Sequence, residues 1–398
     1  MSSHNNAPAD PVVREGVAVV ITVEALDALI VGLRDQGVDV YGPVVRDGAI
    51  AVGPLNGVAD LPIGWRDEQA PGHYALNDAH DTSVFRWAVG PNSFKATFFP
   101  PEQDVWRASR SAGPLEVLGP DPLDDSRPMA IVGARPCDVA ALEVLDGVLL
   151  EGAVPDPSYR TRRSRAIVVV AECATPAATC FCSSMGTGPG VDAGFDLALS
   201  EIEGHGEHRF VVRVGSPAGA TLVNRIEHRI ATEDDLRDRR DMLERAGATF
   251  DHRLDVDGLA ELLKANIEHP EWDNIAARCL ACANCTMVCP TCFCSDVTDT
   301  SDLTGDVVRR RHWSSCFELG HSFVHGGPVR ASTASRYRQW MTHKLSTWWD
   351  QFGSSGCVGC GRCITWCPVG IDLTSAAAAI RATPGATRVS VRSSERRS

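Results

Sequence analysis

The sequence predicts an N-terminal mixed α/β domain, of α+β or α/β type, followed by a mostly helical second unit rich in cysteine. Three observations carry this. Strand, loop, helix and strand alternate between residues 128 and 171. An amphipathic helix and a hairpin pattern precede them, and one spacing of four cysteines followed by proline occurs twice, at 279–290 and 357–368.

The elements follow in order. Leu26, Leu29, Ile30 and Leu33 recur at helical spacing, so 23–36 reads as a helix with Gly37 as its stop. Val40 to Val45 and Ala49 to Val52 read as two strands around the turn Asp47-Gly48. Residues 53–127 are rich in Gly, Pro and Asp, with Val84 to Val89 as a short candidate strand. Met129 to Val132 is an apolar strand running into Gly133-Ala134-Arg135-Pro136-Cys137, with a helix over 138–149 and a second buried-type strand at 166–171. Arg209 to Val214 alternates like a strand, and a charged helix over 233–245 takes Thr232 as its N-cap. Residues 255–268 read as one amphipathic helix. The expected organisation is a tail at 1–12, an N-terminal domain at 13–250, a cysteine-rich domain at 251–381 and a Ser/Arg/Thr-rich tail at 382–398, both tails disordered.

Composition excludes some functions. A net charge of −13 over 398 residues argues against a nucleic-acid surface. The short basic runs 160–165 and 309–311 read as solvated faces or as a docking patch for an acidic partner. No stretch reaches the ~18 apolar residues of a membrane span, and the first dozen residues carry no export signature. The expected location is the cytoplasm. In a reducing compartment fifteen cysteines point to metal, not to disulfides.

Cys279, Cys282, Cys285 and Cys289 have the spacing C-x2-C-x2-C-x3-C with Pro290 after them, and Cys357, Cys360, Cys363 and Cys367 repeat it before Pro368. This is the bacterial two-cluster ferredoxin pattern, so two 4Fe–4S clusters are expected. Three thiolates from one tight loop reach three corners of a cubane. The fourth cannot reach around it and serves the other cluster. The expected sets are therefore Cys279, Cys282, Cys285 and Cys367 for one cluster, and Cys357, Cys360, Cys363 and Cys289 for the other. Zinc ribbons also use C-x2-C pairs, but two pairs complete a zinc site, and zinc does not call for four cysteines and a proline twice over. The 67 residues between the runs exceed what a minimal ferredoxin has, and Trp340, Trp348, Trp349 and Phe352 within them are expected to pack over the clusters.

Seven cysteines remain. Cys137 and Cys173 each follow a predicted strand, where α/β sheets gather ligands, and Cys180 and Cys182 lie in the next loop. These four are candidates for a third cluster, or are small buried apolar residues. Cys292, Cys294 and Cys316 suit packing as well as ligation. Gly186 to Gly190 lacks the spacing of a dinucleotide or phosphate loop and reads as a plain loop. The histidines at 312, 321, 325 and 343 are scattered, and no independent catalytic constellation stands out.

Residues 279–294 (CLACANCTMVCPTCFC) and 357–363 (CVGCGRC), with 133–138 (GARPCD), 180–186 (CFCSSMG), 268–273 (EHPEWD) and 313–316 (WSSC), resemble the beta subunit of sulfhydrogenases. These are cytoplasmic nickel–iron hydrogenases that couple hydrogen to NADP(H). The equivalent iron–sulfur subunit of anaerobic sulfite reductase is similar and belongs with them. The resemblance spans about residues 25–380. It implies an electron-transfer subunit of a heteromeric complex. The partners would be a flavin-bearing NAD(P)-binding subunit, a small iron–sulfur subunit, and a catalytic large subunit. A sulfur-reducing side activity has been tied to this subunit. Two alternatives stand beside the hydrogenase reading: the equivalent sulfite reductase subunit, and a free-standing ferredoxin-like carrier, against which the large N-terminal domain counts.

Overall fold

The computed structural model describes residues 12–109, 116–118, 127–204, 207–303 and 305–386. The tails expected at 1–12 and 382–398 lie outside the described residues except for Val12 and 382–386. The strands are β1 (Ala18–Ile21), β2 (Asp39–Arg46), β3 (Ala49–Pro54), β4 (Trp65–Ala70), β5 (His73–Asp78), β6 (Glu102–Ser109) and β7 (Glu116–Leu118). They continue with β8 (Met129–Ala134), β9 (Ala166–Ala171), β10 (Leu197–Gly204), β11 (Glu207–Val214), β12 (Arg229–Ile230), β13 (Ser295–Ser301) and β14 (Val307–Trp313).

A mixed sheet runs in the order β12-β1-β11-β10-β9-β8-β2-β3. Its centre, β2-β8-β9-β10, is parallel, and its flanks are antiparallel. Both faces of the centre are covered, which is why β8 is apolar at every position and buried throughout. Successive side chains leave a strand on opposite faces. Ala130, Val132, Val169 and Ala171 accordingly pack with Leu26, Leu29, Ile30 and Leu33 of the helix Val23–Asp35. Ile131, Val168 and Val170 pack with Val139, Leu142 and Leu145 of the helix Pro136–Leu149. The Thr22 hydroxyl caps the first helix by accepting from the Ala25 N–H at 3.3 Å.

Residues 84–89 are not a strand. Their backbone groups are claimed by side chains instead of a ladder. The buried Glu201 carboxylate accepts from the Val84 and Phe85 N–H groups at 2.5 and 2.7 Å. Asp67 accepts from the Ala88 N–H, the Arg135 guanidinium donates to the Phe85 and Trp87 carbonyls, and Gln69 donates to the Val89 carbonyl. The helix expected over 255–268 is shorter, Leu259–Ala265. Gly258 at φ +59° holds its start, and a second helix, Glu271–Ala276, follows Pro270, which disfavours helical backbone in the residue before it.

The C-terminal part combines helices with strands. Strands β13 and β14 form a hairpin, and β14 pairs with β6 of the N-terminal part, giving the sheet β13-β14-β6-β7. The helix Leu373–Ala382 closes the fold, and the chain stays docked beyond it: the Gly385 N–H donates to Asn266 at 2.7 Å.

Candidate iron–sulfur centres

The two cysteine runs have one local geometry, offset by 78 positions. Ala281 and Ala283 adopt left-handed backbone, as do Gly359 and Gly361 at the matching places. The Ala281 N–H donates to Cys279 Sγ and the Gly359 N–H to Cys357 Sγ, both at 3.4 Å. A single turn of helix follows each loop, Asn284–Met287 and Arg362–Thr365. Left-handed residues curl each loop so that its first three thiols face inward, while the fourth lies past the helical turn, before proline. The runs differ for a packing reason. A Cβ on Gly359 would come within 2.7 Å of the Cys182 backbone, and one on Gly361 within 2.5 Å of the Thr179 carbonyl oxygen. The second loop is glycine because the loop at 179–182 presses on it.

Cys279, Cys282, Cys285 and Cys367 line one cavity, with Cys363 also at its wall beside Phe317, Tyr337, Trp340 and Leu373. Two cysteines of the second run thus face three of the first. Burial, then the Cys279, Cys367 and Cys282 thiols, raise the Cys285 thiol well above its usual range. The mirror arrangement holds around Cys289. Burial raises the Cys357 thiol to about 12, with Gly359, Lys344 and Cys289 as its neighbours. Cys360 and Cys363 are raised by burial too, and each also feels Cys289. Among the described residues no three cysteine sulfurs lie within 4.8 Å of one another. Around one zinc at ~2.3 Å the sulfurs would be about 3.8 Å apart, whereas a cubane takes each sulfur on a different iron. Four thiols to a set offer one ligand to each iron of a cubane. Of all the cysteines, Cys282 is the one exposed to solvent.

Two buried lysines stand beside Cys289, and no sequence signal pointed to them. Lys344 and Lys95 are each only 4% exposed. Lys344 Nζ donates to Thr291 Oγ1 at 2.9 Å, and Lys95 Nζ donates to the Cys292 carbonyl at 3.1 Å and lies over the Trp313 ring. Burial works against the Lys344 ammonium, but Cys289, Cys292 and Cys357 outweigh it and keep it charged. Neither lysine has a carboxylate partner among the described residues. Cys294 and Cys316 meet at the root of the β13–β14 hairpin, where the Ser314 N–H donates to the Cys294 carbonyl at 2.9 Å, whereas the Cys292 side chain lies against Cys289.

Trp340 and Trp348 are buried as expected, but Trp349 is 51% exposed and Phe352 37%. The helix Trp348–Phe352 is just over one turn long, so turning Trp348 inward onto Phe293 turns its neighbour outward.

Cys137, Cys180 and Cys182 are buried in one apolar cluster with Val358 and Cys360. Cys137 lies in the first turn of the helix after β8, and Cys173 two residues beyond β9. Burial raises the Cys182 thiol, and the Cys173 and Cys360 thiols lie beside it. The glycine loop at 186–190 lies on these thiols: a Cβ on Gly188 would come within 2.8 Å of Cys182 Sγ.

The family model for a 4Fe-4S dicluster domain matches residues 278–371, which hold both runs and both sets of thiols. Sulfhydrogenase 2 subunit beta of Pyrococcus furiosus is 33% identical over 282 residues, 70% of this chain and 82% of the relative. The chain belongs to the sulfhydrogenase beta-subunit family. No solved structure matches it. As a sulfhydrogenase beta-subunit homologue with a dicluster domain it carries two 4Fe–4S clusters and is an iron–sulfur electron-transfer protein. No helix among the described residues is long and apolar enough to cross a membrane.

Proposed function

We propose that Cys279, Cys282, Cys285 and Cys367 ligate one cluster and Cys357, Cys360, Cys363 and Cys289 the other. The chain would then pass single electrons between a flavin/NAD(P)-binding subunit and the hydrogen-activating side of a heteromeric cytoplasmic complex, made of a small iron–sulfur subunit, and a catalytic large subunit. The exchange of Cys289 and Cys367 between the runs carries the reading, because shared loops hold two clusters close together. The clusters supply reversible one-electron chemistry, and the protein fixes their spacing, dryness and charge. Phe317, Tyr337 and Trp340 keep water from the first set, while exposed Cys282 brings that set to the surface.

The sulfhydrogenase relative favours the hydrogenase complex over the sulfite reductase one. The N-terminal domain pressed onto the second run favours a fixed subunit over a free carrier. We read the chain as two units, 13–250 and 251–381, that work as one body.

Cys367→Ala tests the ligation. Its electron paramagnetic resonance spectrum after reduction should lose the cluster built on Cys279, Cys282 and Cys285 and keep the other. Damage confined to the cluster of residues 357–363 would sink the crossed scheme. For the complex, NAD(P)H should reduce both clusters only when the flavin subunit is present, and equal reduction without it would refute the subunit reading.

A further inference from the structure

Four thiols outside the dicluster runs converge where the parallel sheet ends. Strands β8 and β9 are parallel neighbours, so Cys137 and Cys173, just past their carboxyl ends, come to one edge. The loop after Cys173 returns to that edge, tied by the Cys173 N–H to the Pro189 carbonyl at 3.0 Å, and adds Cys180 and Cys182. The group adjoins the second dicluster run directly. Cys180 Sγ donates to the Cys360 carbonyl at 3.6 Å, the Phe181 N–H to the Gly359 carbonyl at 2.8 Å, and Thr187 Oγ1 to the Val358 carbonyl at 2.6 Å.

Buried thiols that only fill space need no charge around them. This group has two buried cations. Arg362 is 2% exposed: its Nη2 pairs with Asp138 at 2.8 Å, its Nε bonds the Gly90 carbonyl, and its Nη1 has no hydrogen-bond partner. Cys137 and Cys360 both lie beside it. Arg135 is 1% exposed, donates only to backbone carbonyls and leaves Nε without a partner. Cys173 lies beside this second guanidinium. Asp138 lies beside Arg362 and Asp67 beside Arg135, so what the two guanidinium groups leave open is a pair of buried N–H donors, Arg362 Nη1 and Arg135 Nε. The sulfurs of a cubane accept such hydrogen bonds.

We propose that Cys137, Cys173, Cys180 and Cys182 ligate a third 4Fe–4S cluster, which exchanges electrons with the cluster of Cys357, Cys360, Cys363 and Cys289. The proposal rests on the reading of Cys360 as a ligand of that second cluster. The transfer is one electron: one cubane is oxidised as its neighbour is reduced, and no bond or proton moves. The chain then holds three clusters in line: the first near the surface at Cys282, the second in the middle, the third against the N-terminal sheet.

Iron analysis and electron paramagnetic resonance of the full chain, purified anaerobically, test it. The wild-type chain should hold about twelve irons. The Cys180→Ser/Cys182→Ser double variant should hold about eight, keep both dicluster signals and lose one magnetic interaction. About eight irons in both proteins would overturn the third cluster while leaving the dicluster intact. A wild-type count near four would instead break the dicluster reading itself. If the double variant also loses dicluster iron, Cys173→Ser decides. Loss of about one cluster's iron with the melting temperature unchanged supports the proposal, and a full count of about twelve overturns it.

Discussion

Lys344 shows how one side chain can set a redox property. Its ammonium is buried beside Cys289, with Thr291 and the Gly356 carbonyl as acceptors. Reduction adds negative charge to a cluster, so a nearby cation favours the reduced form. For two unit charges ~7 Å apart at an effective dielectric of ~20, such an attraction is roughly 2.4 kcal/mol, which is on the order of 100 mV for one electron. Lys344→Met should therefore lower the potential of the cluster on Cys357, Cys360 and Cys363 by up to about that much and leave iron content unchanged. Anaerobic potentiometric titration reads the shift. An unmoved potential, or an equal shift in both clusters, would show that the lysine is only a packing residue. The cysteine spacing was legible in the sequence. The lysines were not, because Lys95 and Lys344 lie far from each other along the chain and carry no motif.

At the scale of elements, the helix Glu233–Ala248 tests how far local signals hold. Thr232 and Asp235 form its capping box, and Asp235 also pairs with Arg229 and Arg209 from β12 and β11. The Arg229 guanidinium, against the opposing cost of burial and with help from Thr232, holds the Asp235 carboxyl well below its usual value of 3.8. A depressed carboxyl stabilises the fold above its unfolded value, and that contribution fades as pH falls toward the folded one. Asp235→Asn should lower the melting temperature by several degrees near pH 7, corresponding to ~1–2 kcal/mol. The gap to wild type should close as pH falls from about 4 toward 2. A constant gap across that window would remove the ion pairs from the account. Thr232 as cap was readable because capping is local. Residues 84–89 misled because Glu201 and Arg135, which take their backbone bonds, come from elsewhere in the chain.

The whole molecule is organised by contact between its two parts. Gly359 and Gly361 let the loop at 179–182 lie against the second cysteine run, and β6 pairs with β14 across the same boundary. Gly361→Val would put a branched side chain on left-handed backbone, 2.5 Å from the Thr179 carbonyl oxygen at its Cβ. Overpacking and backbone strain together should cost about 2–4 kcal/mol. Thermal unfolding should begin several degrees lower, with the second cluster lost before the first. A melt and cluster content equal to wild type would show that the two parts do not depend on this contact.

The chemistry of this protein is written in local patterns. Cluster type, the two cysteine runs and the α/β layer follow from spacing and periodicity, and each can be read in a short stretch of chain. What surrounds those thiols emerges only when the chain is folded: the hairpin shared between the two parts, the buried lysines and arginines, and the meeting of Cys137, Cys173, Cys180 and Cys182 beside Cys360. Burial and charge at a site are set by residues distant in sequence, and a local pattern carries no record of them.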